Sequence, residues 1–263
     1  MKHFILSVPP NPEGMIHLYE KDYHYLVRVR RLRPGMCFNA QLPTGDETQV
    51  RVLSTADNIL IGECVEKQGQ TAPEGRSVPG VPIALFQALP KGAKMDLIIR
   101  QAAECGVSVV APFESEYSAV HLKDDSPHKA GRWERIVREA RQQSGSARET
   151  SIWPPCKLDT LLELWASHKE RYERPTGILL HQEPLENGTL HGYLGNNPDF
   201  VVLAVGPEGG FSPKEVSLFM EAGFRPMIMG NTILRTETAS LYGIAAIRTI
   251  LLENEWWKLL PKG

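Results

Sequence analysis

Two short segments late in the chain combine glycines with isolated charges. The first is Gly206-Pro207-Glu208-Gly209-Gly210-Phe211, which follows the apolar run Val201-Val202-Leu203-Ala204-Val205. Glycine permits positive φ and lets the backbone approach a ligand closely. The residues that follow mark a helix start: Ser212 suits an N-cap, Pro213 the first helical position, and Glu215 completes a capping box. A glycine loop between a buried strand and a helix lies at the carboxyl end of that strand, where open α/β sheets bind ligands. The second segment is Met229-Gly230-Asn231-Thr232-Ile233-Leu234-Arg235-Thr236-Glu237-Thr238-Ala239. Here Arg235 and Glu237 sit between apolar residues and a small-residue helix start that Thr236 or Thr238 can cap. Taken singly, the first loop reads equally as a tight turn and the second as a solvated ion pair. Two such loops in one α/β domain point to a shared pocket, with Glu208 and Arg235 as its charged groups.

The elements that must position these loops follow from periodicity. Apolar strands are predicted at 82–89, 107–113, 177–181, 200–205 and 227–229, and helices at 93–105, 131–144, 213–223 and 238–253. Strands alternating with helices imply a parallel sheet covered on both faces. Met95, Ile98, Ile99 and Ala102 should face inward from the first helix, and Trp133, Ile136, Val137 and Ala140 from the second. The first 70 residues differ. Short strands at 4–8, 36–40, 48–53 and 59–65, separated by turn dipeptides, suggest a small β-barrel. Residues 16–33 have the spacing of one helix, with Ile16, Tyr19, Tyr23, Leu26 and Val27 on a face. A Gly- and Pro-rich stretch at 71–80 reads as the linker between a domain at 1–70 and one at 81–263.

Composition sets outer limits. The 263 residues are 42% hydrophobic and 23% charged with a formal net charge of −2, so any nucleic-acid contact must come from a local patch. The four cysteines, Cys37, Cys64, Cys105 and Cys156, form no CxxC pair, and the histidines His121, His128 and His181 lack ligand spacing, so no metal is expected. No stretch approaches the ~20 apolar residues of a membrane span. The expectation is a reduced, cytoplasmic protein.

The two loops, Gly206-Pro207-Glu208-Gly209-Gly210-Phe211-Ser212 and Ile233-Leu234-Arg235-Thr236-Glu237-Thr238-Ala239, resemble the signature loops of the bacterial 16S ribosomal RNA uracil-N3 methyltransferase family, within the trefoil-knotted (SPOUT) class. The likeness extends to Gln87-Ala88-Leu89-Pro90-Lys91-Gly92, to Glu104-Cys105-Gly106-Val107, to Arg132-Trp133 with Glu139-Ala140, and to Val27-Arg28-Val29-Arg30 before Pro34-Gly35. The chain departs from the family pattern at Thr232, Tyr117 and Ser146, where the family carries basic residues, and at Met229, where it carries leucine.

The resemblance implies an α/β domain whose parallel sheet carries a trefoil knot, a PUA-like N-terminal barrel and a homodimer. It implies S-adenosylmethionine as cofactor, held by Leu180, His181, Gly206, Pro207, Glu208, Gly209, Gly210, Met229, Gly230, Ile233, Leu234, Thr238 and Ala239. Glu208 is the candidate proton acceptor for uracil N3, or else holds its own loop; Arg235 would steady the uracil oxygens or a phosphate. The partner implied is 16S ribosomal RNA or the assembled small subunit. Two basic patches could meet it: Arg28, Arg30, Arg31 and Arg33 near the N-terminus, and Arg132 with Arg148 on and beside the 131–144 helix. That helix face reads equally as a solvated surface with pairs such as Arg135–Glu139. A nicotinamide oxidoreductase would need GxGxxG after the first strand, which is missing; a non-catalytic RNA-binding protein would not need both loops intact.

Overall fold

The computed structural model describes residues 4–6, 8–43, 46–65, 80–122, 126–146, 148–183 and 188–255. The expected linker at 71–80 lies outside the described residues except for Gly80. The chain divides into two compact units, one of residues 1–77 with 141–147 and the other of 78–140 with 148–263.

The first unit holds a five-stranded sheet. Its strands are β1 (Phe4–Ile5), β2 (Met15–Leu18), β3 (Cys37–Gln41), β4 (Glu47–Ser54) and β5 (Leu60–Val65), in the order β1-β3-β4-β5-β2. A register shift between Val52 and Ser54 bends β4 against β5. Phe4, Ile16, Leu18, Leu26, Phe38, Val50 and Leu60 form its core.

The helix expected over 16–33 is much shorter. Residues 15–18 form β2, paired antiparallel with β5, and only α1 (Glu20–Tyr23) and the π-helical turn His24–Val29 are helical. Ile16 and Leu18 are buried while His17 is exposed, so the burial period here is two residues, and the sheet wins over the helical spacing of the same apolar residues. Glu20 takes a φ of 43° at the switch from strand to helix.

The second unit is α/β. Its strands are β6 (Ile83–Ala88), β7 (Val109–Glu114), β8 (Ser151–Ile152), β9 (Cys156–Lys157), β10 (Pro175–Leu180), β11 (Phe200–Val205) and β12 (Phe224–Met227). The order is β12-β10-β11-β6-β7-β8, with β9 also on β7, and the recorded pairings are all parallel. β6 and β11 are buried along their whole length, as strands sandwiched between helical layers must be. Ile83, Leu85, Val201, Leu203 and Val205 face one layer, built from α2 (Lys94–Glu104), α3 (Ser126–Ser144), α5 (Leu190–Leu194) and α7 (Thr236–Glu255). Ala84, Phe86, Val202 and Ala204 face the other, built from α4 (Leu158–Lys169) and α6 (Pro213–Glu221) with an aromatic cluster around Trp165, Phe219 and Phe224. The inward residues expected on α2 and α3 are all buried.

One strand is displaced from its expected place. Residues 224–227, not 227–229, form β12, so Ile228 and Met229 belong to the following loop. Pro226 is tolerated because β12 is an edge strand, where a missing N–H breaks no ladder bond. No helix among the described residues is long and apolar enough to cross a membrane.

Gly177 of β10 lies opposite Phe224 of β12, and a Cβ at Gly177 would stand 2.9 Å from the Phe224 ring. That ring is boxed in by Phe86, Trp165 and Phe219 at centroid distances of 5.0–6.1 Å, so it cannot swing away. Gly177→Ala is expected to destabilise the second unit by about 1–3 kcal/mol through overpacking. The measurement is the shift in denaturant midpoint at constant slope.

Candidate cofactor and active site

The carboxyl ends of β12, β10 and β11 lie side by side, because Leu180 pairs with Met227 and Leu179 with Ala204. Three loops leave from this shared edge: 181–183, 206–211 and 228–235. They line one cavity of about 1100 Å³. Of the residues expected to hold a cofactor, Leu180, His181, Gly206, Pro207, Glu208, Gly209, Gly210, Met229, Gly230, Ile233, Leu234 and Ala239 line it, as does Arg235. Thr238 is exposed and is not among the lining residues; its N–H donates to the Arg235 carbonyl in the first turn of α7.

Each loop is pinned by local chemistry. Ser212 accepts from the Glu215 N–H at 3.3 Å and Glu215 returns a bond to the Ser212 N–H at 2.9 Å, closing the capping box. Glu215 is itself buried, and its carboxylate also accepts from Ser115 Oγ at 3.1 Å and the Glu116 N–H at 2.8 Å. The cap therefore clamps the loop after β7 onto the helix that follows the glycine loop. Gly210 takes a φ of +71° and Gly230 of +106°, conformations that side chains other than glycine rarely adopt. A Cβ on Gly206 would meet Gly210 backbone atoms at 3.2 and 3.3 Å, so the loop closes tightly on itself. His181 continues the edge, its N–H donating to the Met227 carbonyl at 3.0 Å.

A buried polar chain ties the glycine loop to the sheet and to α7. Gln87, fully buried in β6, donates from Nε2 to Thr236 Oγ1 at 3.0 Å and to the Ala88 carbonyl at 2.9 Å. Thr236 Oγ1 donates to the Gly206 carbonyl at 2.7 Å. The Ser240 hydroxyl lies 2.5 Å from Gln87 Oε1. Sequence reasoning gave Gln87 no role beyond its place in a family-like segment and did not single out Ser240. The available signal was a lone amide inside an otherwise apolar strand, since a buried amide must find partners.

Glu208 does not stand free at the pocket rim. It accepts from the Lys91 N–H at 3.2 Å and from Lys94 Nζ at 2.6 Å. Lys94 also stands 3.7 Å from Glu237. Burial alone would push the Glu208 carboxyl up, but the Lys94 ammonium and the backbone N–H groups of Glu208 and Lys91 outweigh it and hold the group below the usual carboxylate range. The Lys94 side chain is correspondingly pushed up by Glu208. Nothing in local spacing announces this pairing, which spans 114 residues of sequence.

The two basic patches differ. Arg28, Arg30, Arg31 and Arg33 of the first unit are all exposed. Arg132 is bonded to Asp96, which also accepts from Trp133 Nε1 at 3.2 Å, and Arg148 donates to the Gly80 carbonyl at 2.6 Å. Arg135 forms the expected pair with Glu139 at 3.7 Å.

Against this geometry stand the comparisons with known proteins. Residues 78–248 match the profile of the RNA methyltransferase domain family. The chain belongs to this family. It is 32% identical over 243 residues to the ribosomal RNA small subunit methyltransferase E of Synechocystis, an alignment covering 91% of this chain and 74% of that one. It is 28% identical to the ribosomal RNA small subunit methyltransferase E 2 of Borreliella burgdorferi, over 88% and 89% of the two chains. The crystal structure of the Neisseria gonorrhoeae ribosomal RNA small subunit methyltransferase E bound to S-adenosyl methionine superposes with a TM-score of 0.74 at 25% identity, covering 95% of this chain and 98% of that one. The family's matched region contains all three pocket loops.

Two measurements follow. Thr236→Val keeps the shape but removes the hydroxyl between Gln87 and the Gly206 carbonyl, and is expected to cost about 1–3 kcal/mol of unfolding free energy, read by chemical denaturation. For Lys94→Met, the Glu208 carboxyl loses its main partner and should titrate at higher pH, nearer the ordinary carboxylate range, as followed by carbon-13 NMR. The sign for the native protein follows from the depression. The pairing's stability is fully present above the ordinary carboxylate range and is lost as pH falls through the depressed value.

Proposed function

We propose that this chain is an S-adenosylmethionine-dependent methyltransferase that methylates N3 of a uridine in the 16S ribosomal RNA of the small subunit. The observation that carries the reading is the single cavity formed by the three loops at the aligned ends of β12, β10 and β11. It lies in a chain that aligns almost end to end with the S-adenosylmethionine-bound methyltransferase E.

The residues fit the cofactor. A cradle of backbone at Gly206, Gly209, Gly210 and Gly230 offers N–H and C=O groups to a purine edge, and Leu180, Met229, Ile233 and Leu234 offer apolar contact. Ile233 lines the cavity and is 79% exposed, so its side chain is available to a bound ring. When bound, S-adenosylmethionine supplies a methyl group on a positively charged sulfur, which becomes a neutral thioether once N3 takes the methyl. The protein's part is to hold the base in line and to manage charge. Uracil N3 must lose its proton, and Arg235 at the cavity wall is the group that steadies the resulting charge on the uracil oxygens. Of the two roles weighed for Glu208, the Lys91 and Lys94 bonds favour holding the loop. A carboxylate held below its usual range is a weak base for an N3 proton, so in our reading solvent hydroxide, the stronger base, takes that proton and leaves as water.

The finer architectural reading goes with this function. We read the second unit as trefoil-knotted, with α7 tucked through the pocket loops, and the bulged five-stranded sheet as a PUA-like barrel that presents Arg28, Arg30, Arg31 and Arg33 to RNA phosphates. We assign Arg132 and Arg148 a lesser RNA role, because each already bonds within its own unit. The domain division at 71–80, a homodimer completing the site, and action in the cytoplasm belong to the same reading.

The test is methyl transfer from labelled S-adenosylmethionine to small subunits from a strain lacking the protein, with nucleoside mass spectrometry. The expected product is 3-methyluridine in 16S ribosomal RNA; no transfer to RNA overturns the reading. For Glu208→Gln, S-adenosylmethionine affinity and turnover should fall together by about tenfold, the loss of a charge-assisted bond at a partly exposed site. Loss of turnover with binding spared would instead make Glu208 the proton acceptor.

A further inference from the structure

The loop after β7 brings a large aromatic ring to the rim of the site, and the proposed chemistry does not use it. Tyr117 is 48% exposed. It is not placed there by a slack loop. Glu215 holds Ser115 and Glu116 just before it, at 3.1 and 2.8 Å. Ser118 just after it is buried, its hydroxyl accepting from the Ser115 N–H at 3.1 Å and its N–H donating to the Ser115 carbonyl at 2.9 Å. Further along, Glu114 accepts from the Leu122 N–H at 2.9 Å and faces His121 at 2.7 Å. The turn is therefore bonded on both sides of Tyr117.

The root of that side chain lies against the glycine loop. A Cβ on Gly209 would stand 3.0 Å from Tyr117 Cβ and 3.6 Å from its Cγ. Gly209 itself lines the cavity. The ring thus begins at the cavity wall and extends into solvent from a preformed backbone, with little conformational freedom left to lose on binding. The charges beside it select what it can meet. Glu116, its chain neighbour, is exposed, and Glu208 adjoins Gly209. Glu208 is neutralised by Lys94 at 2.6 Å, but the exposed Glu116 carboxylate beside the ring disfavours phosphate, and the ring's face suits a flat, uncharged base.

We propose that Tyr117 is a substrate-binding residue that stacks on an unpaired nucleobase of the RNA substrate at the Gly209 side of the cavity. Proteins read unpaired RNA by stacking its bases on aromatic side chains in this way. The inference rests on the function proposed above and adds which part of the substrate meets this wall.

The test compares Tyr117→Leu, which keeps bulk and apolar contact on Gly209 but removes the π face, with Tyr117→Phe. Stacking on one base corresponds to about tenfold to a hundredfold in affinity. The KM for small subunits should rise by that factor in Tyr117→Leu and recover in Tyr117→Phe, with S-adenosylmethionine affinity the same in both. The proposal is overturned if Tyr117→Leu leaves KM unchanged, if its defect appears in S-adenosylmethionine affinity, or if Tyr117→Phe is as impaired as Tyr117→Leu. If the unmutated protein transfers no methyl group to 16S ribosomal RNA, it is the function reading that fails. Stacking is then decided by fluorescence anisotropy with a labelled single-stranded oligouridylate. There, weaker binding by Tyr117→Leu than by Tyr117→Phe supports it, and equal binding by the two overturns it.

Discussion

The amide of Gln87 is the constraint on which the site depends. It sits in a strand otherwise made of apolar residues, with no access to water. A buried amide without partners is costly, so its neighbours must satisfy it. They do so with Thr236 and Ser240 at the start of α7, and Thr236 passes the chain on to the Gly206 carbonyl. One side chain thereby fixes where α7 begins and how close the glycine loop lies to the sheet. A fully connected polar network has one low-energy arrangement, whereas apolar packing alone tolerates small shifts.

Two carboxylates extend this logic outward. Glu215 is both half of a capping box and the anchor of the loop after β7. Glu208 joins the glycine loop to the start of α2 through Lys91 and Lys94. Three loops line much of the cavity, with α6 and α7 supplying the rest, and side chains from neighbouring elements tie the glycine loop in place. Such pinning leaves backbone groups pointing in fixed directions before a ligand arrives, which is what a site acting by position and electrostatics requires. Glycines at 206, 209, 210 and 230 leave the room, and the clamps remove the looseness that glycines would otherwise bring.

Much of this was legible in the sequence, for identifiable reasons. Ser212, Pro213 and Glu215 announce a helix start through purely local bonds, and the helix starts there. Val201 to Val205 read as a doubly buried strand because nothing polar interrupts them, and they are one. Much of the cavity lining was legible too, since two of the three loops that supply it carry glycines at strand ends. The misreadings share a cause. Ile16 and Leu18 fit a helical stripe and a strand face equally, and pairing with β5, more than 40 residues away, decided between them. Met227 to Met229 look like a strand, but the register against β10 is set by Phe224 filling the space over Gly177. α4 was missed altogether, its inward face being only Leu158, Leu161 and Trp165. Gln87, Lys94 and Ser240 acquire meaning only from partners more than 100 residues distant.

The distribution of positive charge now has a physical reading that the net charge of −2 could not supply. Arg132 and Arg148 have partners within their own unit, an aspartate and a carbonyl, and an RNA phosphate would have to compete with these. The Arg28–Arg33 segment is different. Its backbone is pinned by Arg30 N–H on the Tyr25 carbonyl and Leu32 N–H on the Leu26 carbonyl, with buried Leu26 and Leu32 anchoring it. Between these anchors Arg31 takes a φ of 56°, a conformation that costs about 1–3 kcal/mol and persists only where its surroundings impose it. A fixed turn carrying four exposed guanidinium groups loses little freedom on meeting a fixed row of phosphates. The affinity in our reading therefore comes from this turn, while the pocket rim, with Tyr117 beside the exposed Glu116, takes a base rather than the backbone.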